Sequence, residues 1–90
     1  MKSIILDGRI LADYEKAHDY LKEELGLPEY YGKNLDALYD CLTEMQDTEI
    51  QITEISKAVE QEESFYFKRM LRVFREAAEE NENIKINLQS

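Results

Sequence analysis

Three short apolar runs, set far apart, constrain this chain more than any other feature. Ile4-Ile5-Leu6 is closed by an Asp7-Gly8 turn signal, Ile50-Gln51-Ile52-Thr53-Glu54-Ile55 alternates apolar with polar residues, and Ile84-Lys85-Ile86-Asn87-Leu88 alternates again. Runs of this length and period read as strands. The gaps between them carry apolar residues at helical spacing, so the strands are joined by helical crossovers. That arrangement predicts a parallel sheet with right-handed connections. The continuous run over Ser3–Leu6 predicts a strand covered on both faces, and the alternating run over 50–55 a half-covered strand near a sheet edge.

The helices follow from spacing and caps. Tyr14, Ala17, His18, Leu21 and Leu25 share one face, Asp13 is a candidate N-cap, and Gly26-Leu27-Pro28 is a C-terminal stop. Glu29 to Lys33 reads as a loop with Gly32 a candidate for positive φ, feeding a second helix from about Asn34 to Met45. A short polar helical piece is expected from Ser56 to about Glu62. After Ser64 a longer helix aligns Phe67, Met70, Leu71, Phe74, Ala77 and Ala78. The order is strand, two helices, strand, two helices, strand. The expected class is α/β: a small three-stranded parallel sheet packed with about four helices, in one domain over residues 1–90.

Charge narrows the function. Twenty acids against eleven bases give a net −9, which repels phosphate backbones and anionic lipid, so neither nucleic acid nor membrane is an expected partner. The one cysteine, Cys41, forbids an intramolecular disulfide, and the N-terminal apolar run is far shorter than a signal-peptide core. A cytoplasmic location is expected. There is no phosphate loop, metal cluster or activated nucleophile, so the chain reads as a non-enzyme without cofactor or metal.

The negative charge is local. Residues 29–49 hold six acids and one base, a net −5. At 100° per residue Leu35, Leu38, Leu42 and Met45 fall on one side of the second helix, and Asp36, Asp40 and Glu44 on the other. Like charges four apart disfavour a helix by a few tenths of a kcal/mol, roughly, so helix stability does not explain them. Tyr39 borders the stripe, and Tyr30 and Tyr31 precede the helix. Aromatic surface beside carboxylates suits recognition of a cationic cleft.

The segment Leu27-Pro28-Glu29-Tyr30-Tyr31-Gly32-Lys33-Asn34-Leu35-Asp36-Ala37-Leu38-Tyr39-Asp40-Cys41-Leu42 resembles the signature of the barstar family of ribonuclease inhibitors. Val73-Phe74-Arg75-Glu76-Ala77 is similar to a second family segment. The resemblance implies a compact α/β inhibitor that binds, one to one, an extracellular guanyl-specific ribonuclease of the barnase type within the producing cell, as an antitoxin or immunity protein. Carried over by position, it implies that Asp40 takes the place of the RNA phosphate and Asp36 pairs with another basic group. Tyr30 would pack on the catalytic histidine, Glu76 would meet a basic residue at the periphery, and Asn34 and Leu35 would add contacts. Tyr39, Glu44 and Met45 complete the expected surface. They are also where the chain departs from the family, which commonly has tryptophan before the key aspartate and Gly-Trp after the helix. The alternative is a barstar-like protein-interaction module without nuclease inhibition.

Three features invite other readings. His18, the lone histidine, is expected at a core boundary, and Cys41 as a buried thiol. Lys68, Arg69, Arg72 and Arg75 form a basic stripe expected to pair with Glu76, Glu79 and Glu80 across helical turns, which argues against an RNA-binding helix.

Overall fold

A computed structural model describes residues 1–60 and 64–90 of the chain. The order is β1 (Lys2–Asp7), α1 (Gly8–Leu11), α2 (Tyr14–Leu25), α3 (Leu35–Glu44), β2 (Thr48–Thr53), α4 (Ile55–Val59), α5 (Ser64–Glu80) and β3 (Ile84–Leu88). The strands form one parallel sheet in the order β1-β2-β3, with Ile4 opposite Ile50 and Ile50 opposite Ile86. The fold is α/β, as expected, with five helices where about four were expected.

The fifth helix is α1. Asp7-Gly8 does not make a turn: the Asp7 carboxylate accepts the Arg9 N–H at 2.9 Å and caps a four-residue helix. Gly8 is required for packing, because a Cβ there would lie 2.5 Å from the Thr53 carbonyl oxygen. Positive φ is found not at Gly32 but next door at Lys33 (φ 53°), and at Gly26 (φ 65°), where it ends α2. The short helix expected over 56–62 is α4, starting at Ile55, and residues 61 and 62 lie outside the described residues.

Strand placement also differs from expectation. β2 is the central strand, paired on both sides. β1 is covered on one face only, since Ile4 and Leu6 are buried while Ile5 is 61% exposed. The order explains this: two right-handed crossovers stepping in the same direction put their helices on the same side of the sheet. Ile4, Leu6, Ile50, Ile52 and Ile84 face the helices, and Ser3, Lys85 and Asn87 line the open side.

The core lies between that sheet face and the helices, with Leu11, Leu21, Leu38, Leu42, Phe67, Met70 and Phe74 fully buried. Each such side chain contributes about 1.5–3 kcal/mol by leaving water. Helix α5 packs along α3, and α1 packs on α2 and α4. Leu38 and Leu42 therefore fix α3 by one face and leave its opposite face to solvent. No helix among the described residues is long and apolar enough to cross a membrane.

Candidate functional site

Helix α3 carries the site, and its sequence sets both its start and its orientation. The Asn34 side chain, in extended backbone, accepts the Ala37 N–H at 2.8 Å and donates to the Gly32 carbonyl at 3.3 Å. Asp36 sits in the first turn, where the helix dipole favours negative charge. With Leu38 and Leu42 facing inward, Asp36, Asp40 and Glu44 emerge exposed. None of the three forms an ion pair or hydrogen bond with another side chain among the described residues.

The one base in the acidic segment is turned away. Lys33 reaches back to Asp19 on α2 at 2.7 Å, holding the Asp19 carboxyl below its ordinary range. Both partners are more than half exposed, so the pair adds little stability. Its consequence is that Lys33 does not neutralise α3.

The two neighbouring tyrosines part company. Tyr30 is 88% exposed, whereas Tyr31 is buried with its hydroxyl 2.7 Å from His18 Nδ1. Tyr31 is thus no part of the aromatic surface; it anchors the loop beneath. The other ring nitrogen, His18 Nε2, lies 2.6 Å from the Tyr66 hydroxyl, so one histidine ties α2, the loop before α3 and α5 together. That agrees with a histidine at the core boundary. Sequence alone could not choose which tyrosine turns inward.

An open cleft of about 460 Å³ separates the end of α2 from α3. Tyr30, Asp40, Cys41, Glu44 and Met45 line it, with Leu25 to Pro28 along the other side. Cys41 is half-buried on this wall and not fully buried as expected. Burial, then the charges of Glu44 and Asp40, push its pKa up, so the thiol stays protonated. Met45 and Leu35 are half-buried against the core, and the Asn34 side chain is engaged in capping.

Glu76 is exposed on α5, the helix that packs along α3. Burial and then the negative charges of Glu80, Glu76 and Asp40 push the pKa of the Tyr39 phenol up. Glu80 was missed from the sequence; the available signal was its position one turn beyond Glu76 on the same helix face. Lys68, Arg69, Arg72 and Arg75 are exposed, and none makes the expected ion pair with Glu76, Glu79 or Glu80. Long side chains in water gain too little from such contacts to be held in one geometry. Groups of acids, cysteine and histidine able to hold a metal ion are absent among the described residues.

This surface can offer several unpaired carboxylates and an exposed phenol ring to a cationic partner, from a helix whose opposite face is locked in the core. Comparison with known proteins gives it a context. A curated Bacillus subtilis (strain 168) protein named "Putative ribonuclease inhibitor YrdF" is 45% identical over 83 residues, which is 89% of each chain. The family model described as Barstar (barnase inhibitor) matches residues 1–89, and so the chain belongs to the barstar family.

Proposed function

We propose that this chain inhibits a barnase-type, guanyl-specific extracellular ribonuclease in the cytoplasm of the producing cell, by filling the active site with α3 and the Tyr30 loop. The observation that carries the reading is the row Asp36, Asp40 and Glu44, exposed and unpaired beside an exposed tyrosine and an open cleft. A ribonuclease must hold phosphates, so its cleft concentrates arginine, lysine and histidine. A fixed carboxylate meets the same groups and offers no bond to cleave.

In this reading Asp40, at the middle of the stripe, takes the phosphate position, and Asp36 meets a second cation one turn earlier. Tyr30 lies on the catalytic histidine, Tyr39 with Glu76 forms the far rim, and Asn34 and Leu35 border the entry. Glu44 and Met45 shape the cleft beside Asp40. The net −9 charge speeds encounter with a basic enzyme over distances longer than any contact.

The test is titration of the purified chain into barnase-type ribonucleases while RNA cleavage is followed. Complete inhibition at one-to-one stoichiometry is expected, and full activity of every member at micromolar inhibitor would refute the reading. A second reading, a barstar-family interaction module for a non-nuclease partner, draws on Glu44 and Met45 in the cleft, where the resemblance implies Gly-Trp. The same titration separates the two.

A further inference from the structure

Helix α3 ends without the usual devices. Its last turn holds no basic residue, Met45 at its end is extended (φ −70°, ψ 151°), and no left-handed glycine closes it. Glu44 also places negative charge at the negative end of the helix dipole. The final carbonyls of such a helix need donors from elsewhere, or the turn frays.

Besides the Met45 N–H, which donates to the Leu42 carbonyl at 3.3 Å, further donors come from one side chain far along the chain. Asn81, just beyond α5 and 7% exposed, places its amide nitrogen 3.0 Å from the Leu42 carbonyl and 2.9 Å from the Met45 carbonyl. Its oxygen accepts the Asn83 N–H at 3.0 Å, which fixes which end of the amide is which. The Asn83 carbonyl in turn accepts the Thr48 N–H at 3.0 Å. The turn after α5 is thereby fastened to the turn after α3, and Glu44 lies between the two clamped carbonyls.

We infer that Asn81 is a positioning residue of the inhibitory surface, holding the Glu44–Met45 wall of the cleft by clamping the Leu42 carbonyl in the last turn of α3 and the Met45 carbonyl just past its end. The inference rests on the reading that α3 enters a ribonuclease. Asp40 lies a turn earlier and is held by the helix itself, so loss of Asn81 shifts the wall and leaves Asp40 in place. Asn81 carries no charge, so its removal leaves the electrostatic field intact. Its effect therefore falls on how long the complex lasts and not on how fast it forms.

The test compares the full chain with Asn81→Ala against a barnase-type ribonuclease that the parent inhibits. Dissociation about tenfold faster at an unchanged association rate is expected, because a displaced wall weakens contacts made only after docking. The effects of Asn81→Ala and Met45→Ala should be non-additive, whereas Asn81→Ala and Asp36→Ala should add. In the free protein, amide exchange should accelerate at Thr43 to Met45 and stay at parental values in the middle of α5. An unchanged dissociation rate, or exchange accelerated equally throughout the molecule, would overturn the positioning role. A parent that inhibits no ribonuclease would instead overturn the reading on which it rests, while the exchange data still report on the clamp.

Discussion

His18 should make the stability of this protein depend on pH in a window where little else titrates. It is the only histidine, and both ring nitrogens are within 2.7 Å of tyrosine hydroxyls. Burial pushes its pKa down from the ordinary 6.5; Asp19 pulls the other way, and Lys33 adds to the fall. The folded chain therefore holds the ring neutral under conditions where the unfolded chain binds a proton. With more protons bound to the unfolded state, stability is full above about pH 7 and declines as pH falls through 6.5 toward the lower folded value. One proton limits the slope to about 1.4 kcal/mol per pH unit.

The assay is urea denaturation at intervals between pH 7.5 and 5, on the parent and on His18→Gln. The parent should lose stability across that range, and the variant, whatever its absolute stability, should be flat. Tyr31→Phe adds an independent measure. It strips a hydroxyl from a buried ring nitrogen at a cost of about 1–3 kcal/mol, and each kcal/mol lowers Tm by roughly 4–8 °C in a domain of this size. A parent curve flat from pH 7.5 to 5, or the same slope in His18→Gln, would refute the argument.

Further outcomes follow from the site and from the packing. Asp40→Ala should weaken the ribonuclease complex by about 2–5 kcal/mol, because it leaves enzyme cations buried without a partner. Glu49→Ala, on the open sheet face where Ser3 and Asn87 bond it, should change affinity by under about 0.5 kcal/mol; equal losses by calorimetry would remove Asp40 from the centre. Raising salt from about 0.05 to 0.5 M should slow association at least tenfold while dissociation changes little, and stopped-flow rates indifferent to salt would contradict steering. Gly8→Ala should destabilise by about 1–3 kcal/mol, since its new methyl meets the Thr53 carbonyl, and an unchanged Tm would show that the turn after β2 gives way.

The sequence carries those parts of the fold that repeat along it. Ile4-Ile5-Leu6, Ile50 with Ile52, and Ile84 with Ile86 mark the strands, and the row from Phe67 to Ala77 marks α5, because burial imposes its period on each element. What escapes is set by partners distant in the chain. α1 is too short for periodicity to show, so the Asp7 cap read as a turn. The central place of β2 belongs to the crossovers and not to its own alternation. Lys33 adopts the left-handed conformation expected at Gly32, and from there its ammonium reaches Asp19.

The candidate site divides in the same way. Asp36, Asp40 and Glu44 were legible as one face of one helix, since their common exposure follows from the leucines opposite. Tyr30 and Tyr31 are chemically identical neighbours, and only His18, thirteen positions before Tyr31, decides which of them turns inward. Glu80 and Asn81 belong to α3's surroundings solely because α5 runs alongside it. No reading of residues 29–49 alone reaches them.

The bare side of the sheet has a practical consequence. Ser3, Lys85 and Asn87 support neither the packed interior nor the acidic helix, which sits on the other side of the strands. A fluorophore or surface tether attached at Lys85 would leave the proposed binding face pointing into solution. Evolutionary drift has the same latitude there, so among related chains these positions should diverge first.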